Sequence, residues 1–219
     1  MKYRFAHRGG AHGPENTLQT FADALARGAD GLETDAWISL DGAVVLDHDG
    51  VDPASREPIA QVRRDQLPAH MPTLDELYAR CGTDFDLAID VKTPAVARAI
   101  AEVAAAHDAD HRLWLVAPQA AHLEALDLGE AHRAVTIRGN VIRSRHRHRA
   151  IADAKATGIE AINARWMWWN DAIVREVHHH GMLAFGYDAQ RAFSLDRCRR
   201  LGLDGIFSDH VDRMMAATD

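Results

Sequence analysis

The chain has 219 residues, of which 47% are hydrophobic and 26% charged, and this predicts one globular domain over 1–219. The formal net charge of −7 disfavours a nucleic-acid binder, which usually carries the opposite sign. The two cysteines, Cys81 and Cys198, match neither a disulfide framework nor a zinc-binding spacing. The sequence shows no signal-like apolar segment and no membrane-length stretch, so we expect a cytoplasmic location and no stable membrane insertion.

Short apolar runs alternate with longer amphipathic runs along the whole chain. The short runs predict eight strands, at 3–7, 31–37, 86–92, 112–117, 133–138, 159–163, 182–187 and 204–208. The longer runs predict helices, at 15–28, 94–107, 119–128, 145–157, 170–180 and 190–201. This order is typical of a parallel sheet with helical crossovers, and eight strands favour a closed (β/α)8 TIM barrel. A doubly wound open sheet is the alternative that the pattern leaves open.

One segment after the second predicted strand departs from this alternation. Asp41-Gly42 stands between two extended runs and predicts a hairpin over 36–48. Residues 49–72 follow with little periodicity, and loops of this length are often functional. Thr73 is placed to cap the N-terminus of the next helix. We therefore read the hairpin and the loop as a small insertion in the barrel.

Charged residues occupy strands that should be apolar. Glu33 and Asp35 lie two residues apart in the second strand, so their side chains share one face. Asp90 and Lys92 likewise share the inward face of the third barrel strand. Active sites of such barrels lie at the C-terminal ends of the strands, so three carboxylates are expected to converge at one mouth.

Three carboxylates this close repel one another unless a cation lies among them. Clustered oxygen ligands favour Mg²⁺ or Ca²⁺ over Zn²⁺, so the three acids are predicted to bind a divalent cation. The alternative is that Arg8 and Lys92 neutralise the acids in salt bridges.

Two histidines stand near these acids in the predicted fold. His7 ends the first strand, and His48 ends the second arm of the hairpin. An imidazole close to its free pKa can give or take a proton at neutral pH, so both are candidates for acid–base catalysis. A structural role at a strand end is the alternative for each.

Short polar motifs complete this set in a defined order along the chain. They are His7-Arg8-Gly9, Pro14-Glu15-Asn16-Thr17, Glu33-x-Asp35, Asp41-Gly42, His48-Asp49, Pro72-Thr73-Leu74 with Glu76, the strand ending in Lys92, and the final run from Leu203 to Asp209. Each motif alone is weak, but in this order they resemble the glycerophosphodiester phosphodiesterase family over nearly the whole chain. The resemblance implies a metal-dependent barrel enzyme that hydrolyses glycerophosphodiesters to glycerol 3-phosphate and an alcohol.

The resemblance also implies roles for individual residues. His7 and His48 would be the acid and the base, with neither assigned to one role. Arg8 and Lys92 would neutralise the phosphate of the substrate. The three acids of the second and third barrel strands would hold the metal.

The sequence departs from the family pattern at several places, two of which concern predicted site residues. The third acid is usually glutamate, and the shorter Asp90 draws its carboxylate back by about 1.5 Å. The family's Trp-Thr-x-Asn is replaced by Phe185-Gly186-Tyr187-Asp188, so the aromatic wall would come from Phe185 or Tyr187. Both departures bear on the choice of substrate.

An aromatic run at 166–169 follows the sixth predicted strand and contains three tryptophans. At the mouth of a barrel these rings, Trp168 among them, could contact a choline, acyl or aromatic leaving group. Packing against a neighbouring element or a second subunit is the alternative. A basic run over 143–149 is read as a solvated helix start rather than an anion site.

Two further functions remain open for the same residues. One is a related phospholipase D-like lyase or transferase that acts on lysolipids and forms a cyclic phosphate. The other is a non-catalytic barrel that binds phosphorylated ligands. In each case the expected partner is a small-molecule phosphodiester or phosphate, and no nucleic acid is expected.

Overall fold

Eight parallel strands close into a barrel in the computed structural model, which describes residues 1–218. In chain order the strands are β1 (Tyr3–His7), β2 (Gly31–Ile38), β3 (Val44–Leu46), β4 (Asp86–Val91), β5 (Leu113–Ala117), β6 (His132–Thr136), β7 (Ala161–Arg165), β8 (Leu183–Tyr187) and β9 (Gly205–Ser208). The ring runs β1-β9-β8-β7-β6-β5-β4-β2, and pairing of β1 with β2 closes it. The strand β3 lies outside the ring, antiparallel to β2.

An α-helix follows each barrel strand except β5, and two follow β6. They are α1 (Leu18–Ala26), α2 (Leu74–Cys81), α3 (Pro94–Ala106), α4 (Gly139–Ile142), α5 (Arg147–Ala156), α6 (Asp171–His179), α7 (Ala192–Arg200) and α8 (Val211–Thr218). The predicted (β/α)8 fold is confirmed, and closure of the ring excludes the doubly wound open sheet. All eight predicted barrel strands are present within one or two residues of their predicted bounds. The helix α8 is not among the helices predicted from the sequence.

Polar side chains cap several helix starts. Thr73 accepts a hydrogen bond from the backbone N–H of Glu76 at 3.2 Å, and Glu76 accepts one from the Thr73 N–H at 2.7 Å. This reciprocal capping box confirms the predicted start of α2. Thr17 and Asn170 cap α1 and α6, because the side chain of each accepts a hydrogen bond from the backbone N–H three residues further along the chain.

The helix predicted over 119–128 is wrong. The structure has one 3₁₀ turn there, Ala120–His122, and Ala125 has a φ of 58°, which no α-helix accommodates. Leu123 and Leu128 are both buried. In a helix these two positions would point about 140° apart, so the irregular path lets both side chains enter the core.

The predicted hairpin is confirmed, with Trp37 of β2 opposite Val45 of β3. Residues 49–72 have no long element and contain two short 3₁₀ turns, Ile59–Gln61 and Arg64–Gln66. Val45 anchors a small separate core with apolar side chains of this loop, Ile59, Val62, Leu67 and Met71. The loop is therefore packed against the hairpin.

Aromatic rings fill the barrel interior on the N-terminal side of its polar mouth. Phe5 stacks on Phe207 at 4.8 Å between ring centroids, and Phe185 meets Trp114 edge-on at 5.0 Å. Phe185 has no exposed surface and also contacts Tyr3 at 5.5 Å. A packed aromatic layer of this kind supports the polar mouth above it.

No helix within residues 1–218 is long and apolar enough to cross a membrane. Both Cys81 and Cys198 are free thiols, as their spacing predicted.

We expect Phe185→Ala to lower the free energy of unfolding by about 3–5 kcal/mol, because it leaves a cavity among rings that cannot close around it. Phe193 provides a matched control, since its side chain is 55% exposed and meets Trp166 edge-on. Phe193→Ala should cost at most about 1 kcal/mol. Urea unfolding measures both, and equal losses would contradict the interior packing described for Phe185.

Candidate active site at the barrel mouth

A cavity of about 250 Å³ opens at the C-terminal ends of the barrel strands. Seven strands contribute one lining residue each, namely His7, Glu33, Asp90, Thr136, Asn163, Tyr187 and Phe207. The structure thus gathers three of the predicted site residues, His7, Glu33 and Asp90, around one space.

Strand register places the acids and His7 side by side. His7 of β1 is paired with Glu33 of β2, and Asp35 of β2 is paired with Asp90 of β4. The His7 Nε2 lies 3.8 Å from a carboxylate oxygen of Glu33. Because the side chains of Glu33 and Asp35 leave the same face of β2, both acids project towards the mouth.

Arg8 turns the chain sharply at the end of β1. Its φ of 51° is in the left-handed region, where a residue other than glycine is strained by about 1–3 kcal/mol. This turn directs the Arg8 backbone N–H to Glu33, to which it donates at 3.0 Å. The Arg8 guanidinium donates to Glu15 at 3.0 Å and lies 3.8 Å from Asp35.

Asp209, just after β9, holds the ring of His7. Its carboxylate lies 2.6 Å from His7 Nδ1, which leaves Nε2 directed to Glu33. Burial lowers the pKa of His7, but the charge of Glu33 and the contact with Asp209 outweigh it and raise that pKa to about 9. The sequence contained Asp209 in its last motif, but only the fold shows that it orients His7.

The acids differ in how they are neutralised. Asp35 is buried and accepts a hydrogen bond from Lys92 Nζ at 2.5 Å. Burial raises the pKa of Glu33, and the charges of Asp90 and Asp35 raise it further. The enclosed position of Asp90 and the charge of Asp35 raise the pKa of Asp90 in the same way. Within residues 1–218 no lysine or arginine forms an ion pair with Glu33 or Asp90.

A different group has the tightest spacing of metal-ligating atoms. In the described part of the chain, the one set of three whose donor atoms lie within 4.8 Å of one another is Asp110, His111 and Glu130. These residues precede β5 and β6, at the opposite end of the barrel from His7. The backbone N–H groups of His111 and Glu130 already donate to Asp110, so this exposed group adds nothing to the site at the mouth.

Six predicted residues do not line the cavity; Arg8 and Lys92 both lie against Asp35, and the other three lie apart from them. His48 is exposed on the loop after β3, and its Nδ1 lies 2.9 Å from Asp49. Trp168 lines an adjoining cavity and meets Tyr187 edge-on at 6.3 Å. Phe185 is fully buried one layer below the cavity, so its side chain has no exposed surface with which to make the predicted contact with substrate. Tyr187, the other aromatic candidate, lines the cavity instead.

Asn163 is a site residue that the sequence reasoning missed. It is buried on β7, and its side-chain amide donates to Thr136 Oγ1 at 3.1 Å while its oxygen has no partner. An unpaired buried oxygen beside a cavity can accept a hydrogen bond from a ligand that enters the cavity. The available signal was a polar residue in the otherwise apolar strand Ala161-Ile162-Asn163-Ala164.

Solved structures of phosphodiesterases share this architecture. A glycerophosphodiester phosphodiesterase from Thermotoga maritima superposes with a TM-score of 0.86 at 20% identity, covering 99% of this chain and 98% of that one. An Oleispira antarctica phosphodiesterase in complex with the product sn-glycerol-3-phosphate gives 0.83 at 20% identity, covering 99% and 96%. At these identities the likeness concerns the fold.

Sequence matches to curated relatives are short. A 46-residue stretch is 46% identical to the uncharacterized protein YqiK of Bacillus subtilis, and it spans 20% of this chain and 19% of that protein. A stretch of the same length is 50% identical to glycerophosphodiester phosphodiesterase domain-containing protein 4 of Macaca fascicularis, of which it spans 7%. The chain thus matches only a small part of either relative's length.

The match to a whole family is much longer. Residues 7–213 fit the sequence profile described as the glycerophosphoryl diester phosphodiesterase family. This range runs from His7 at the end of β1 into α8, and so includes every residue that lines the cavity at the barrel mouth. The chain therefore belongs to the glycerophosphoryl diester phosphodiesterase family.

Proposed function

We propose that the protein hydrolyses glycerophosphodiesters to glycerol 3-phosphate and an alcohol, with a divalent cation and histidine acid–base chemistry. The observation that carries the proposal is the placement of His7, oriented by Asp209, beside two enclosed acids, Glu33 and Asp90, neither of which pairs with a lysine or arginine among residues 1–218. The family match and the product-bound relative from Oleispira antarctica support the choice of substrate.

The acids at the mouth fit a hard divalent cation. Glu33, Asp35 and Asp90 supply only oxygen donors, which suit Mg²⁺ or Ca²⁺. Their enclosure and mutual repulsion, visible in the raised pKa values of Glu33 and Asp90, are relieved by a positive charge among them. When bound, such a cation polarises a phosphate oxygen and offsets its charge.

The side chains around the acids would then bind and orient the diester. Arg8 and Lys92 are both part-exposed, and both lie against Asp35. They are the cations within reach of a phosphate that enters the cavity. Asn163 and Tyr187 line the same space and can complete their hydrogen bonds with the ligand.

Proton transfer would fall to the two histidines. Asp209 occupies the Nδ1 side of His7, so Nε2 is the atom that can exchange a proton in the cavity. His48 follows β3, and the Asp47 N–H donates to the Asp35 carbonyl at 3.1 Å, which ties this loop to the acid strand. His48 is therefore the second acid–base group that we propose.

The two alternative functions use the same residues differently. A lyase would direct the substrate's own hydroxyl, rather than water, at phosphorus and release a cyclic phosphate. A non-catalytic barrel would be expected to neutralise its acids internally, yet Glu33 and Asp90 have no lysine or arginine partner among the described residues. That observation favours catalysis over binding alone.

The first test is release of glycerol 3-phosphate from glycerophosphoethanolamine with Mg²⁺, Ca²⁺ or EDTA. We expect release with at least one metal and none in EDTA, because the acids need a cation to accept a phosphate. Phosphorus NMR identifies the product, and a cyclic phosphate in place of glycerol 3-phosphate would show the lyase instead. Absence of any product from a broad panel of diesters would contradict catalysis.

The histidine roles are tested by substitution. His7→Ala and His48→Ala should each lower kcat by about 10²- to 10⁴-fold, the usual contribution of a positioned acid or base. His179→Ala is the matched control, since His179 is exposed on α6 and should leave kcat unchanged. Full activity in either site variant, with circular dichroism unchanged, would remove that histidine from the mechanism.

The metal site has a readout that does not depend on activity. A carboxylate whose pKa is raised on folding opposes folding when charged; this cost is absent below the unfolded-state pKa and complete above the folded-state pKa. In EDTA at about pH 8, Asp90→Asn should therefore melt at a higher temperature than the parent, and the difference should vanish at about pH 4.

Metal addition should reverse this order. Mg²⁺ or Ca²⁺ should raise the melting temperature of the parent more than that of Asp90→Asn, because the variant lacks one ligand. Asp84→Asn serves as the control, since its side chain is 97% exposed at the other end of the barrel. A melting temperature of the parent that does not change with either metal would argue against the metal site.

A further inference from the structure

A second cavity, of about 630 Å³, opens beside the candidate active site at the ends of β6 and β7. Its walls come from the segment after β6 and from the turn after β7, namely Arg138, Gly139, Asn140, Arg143, Ser144 and Trp168. We call it the rim cavity. None of these residues lines the catalytic cavity.

Trp168 forms the wall between the two cavities. A Cβ atom on Gly139 would come within 2.5 Å of the Trp168 indole, so glycine at this position lets the ring lie flat on the backbone. The opposite side of Trp168 meets Tyr187 edge-on, and Tyr187 lines the catalytic cavity. A ligand can therefore place one part in each cavity, on either side of this aromatic pair.

The two cavities are also adjacent along β6. Thr136 lines the catalytic cavity, and Arg138 lines the rim cavity. Two residues of extended chain span at most about 7 Å. A diester whose phosphate lies among the catalytic acids would thus bring one of its two ester groups to the rim cavity.

The two arginines that line the rim cavity form no ion pair with an acid of residues 1–218. In the basic run, Arg147 pairs with Glu176 at 2.9 Å and Arg149 pairs with Asp153 at 3.4 Å. Arg138 and Arg143 are exposed and have no acidic partner within residues 1–218. In a protein of net charge −7, two uncompensated guanidinium groups at one cavity attract anions.

The acid next to Tyr187 does not cancel this charge. Asp188 accepts a hydrogen bond from Arg165 Nε at 2.7 Å and is neutralised by it. A quaternary ammonium group such as choline would meet two like charges at the rim, even though Trp168 offers it an aromatic face. The choline contact considered for the aromatic run is therefore disfavoured by the residues around it.

We propose that the rim cavity binds the leaving alcohol of the diester, and that it selects alcohols that bear an anionic group, a carboxylate or a phosphate. Arg138 and Arg143 bind the anion, and Trp168 packs against the carbon frame of the alcohol. This proposal rests on the phosphodiesterase function proposed above, since it concerns the substrate of that same site.

Two matched substrate pairs test the selection. Glycerophosphoserine differs from glycerophosphoethanolamine by one carboxylate, and glycerophosphoinositol 4-phosphate differs from glycerophosphoinositol by one phosphate. We expect the anionic member of at least one pair to have a KM lower by about five- to thirtyfold, the range of one or two charge-assisted contacts. The pair that responds identifies carboxylate or phosphate as the recognised group.

Variants locate the effect. Arg138→Ala with Arg143→Ala should raise the KM of the substrate with the additional anionic group to that of its partner without this group, and should leave kcat and the KM of the partner unchanged. Arg149→Ala is the control, because it removes one charge from the same basic run outside the cavity and its side chain is 87% exposed. Arg138→Lys with Arg143→Lys should retain most of the preference for the substrate with the additional anionic group, because the positive charges remain.

Specific outcomes overturn the proposal. Equal KM values within both pairs, or a preference that survives in the double variant, would show that the rim cavity does not select anions. If no diester is hydrolysed, the phosphodiesterase function fails, and the rim cavity is then tested by binding alone. Calorimetry would measure the affinities of the parent and of the double variant for glycerophosphoinositol 4-phosphate and glycerophosphoinositol. Equal affinities of the parent for the two ligands would show that the rim cavity does not select anions.

Discussion

Parallel pairing between β1 and β2 closes the barrel and builds the candidate site in the same step. The pairing sets His7 opposite Glu33, and the neighbouring pairing sets Asp35 opposite Asp90. At Gly31 the strand β2 lies close to both of its neighbours, since a Cβ atom there would come within 2.3 Å of the Asp86 backbone oxygen on β4 and 2.9 Å of the Phe5 ring on β1. A side chain at that position would push apart the strands that carry the candidate catalytic and metal-binding groups.

Below the mouth, the barrel is filled with aromatic rings, and above them it holds acids. This division explains the electrostatics of the site. A packed apolar layer around Phe5 and Phe185 lies beneath the acids, and burial raises the pKa values of Glu33 and Asp90. The pKa values of these carboxylates and the interior packing are therefore linked, because the same rings that stabilise the fold contribute to the burial of the acids.

The distribution of charge at the mouth differs from that of the protein as a whole. The chain carries a net charge of −7, yet Arg8, Lys92, Arg138 and Arg143 all lie at the C-terminal ends of the strands. Positive side chains at one end of an otherwise acidic protein can attract anionic ligands to that end. The inner pair, Arg8 and Lys92, lies against Asp35 and would bind the phosphate. The outer pair, Arg138 and Arg143, forms no ion pair with an acid of residues 1–218 and would bind the far end of the ligand.

Local signals were enough to predict the eight barrel strands, the hairpin insertion and the start of α2, namely apolar periodicity, Asp41-Gly42 and the Thr73 cap. It also identified the acids and His7, since charges on an inward strand face are conspicuous. The helix expected at 119–128 failed because the burial of Leu123 and Leu128 overrode local helix propensity.

The contacts and the burial of the other site residues could be known only from the folded chain, because they depend on residues that are distant in sequence. Asp209 reaches His7 across the whole chain, Asn163 lacks a partner only once its neighbours are known, and Phe185 and Tyr187 differ in depth although both face inward. The division of the basic arginines into paired and unpaired groups likewise depends on which acids the folded chain brings near them.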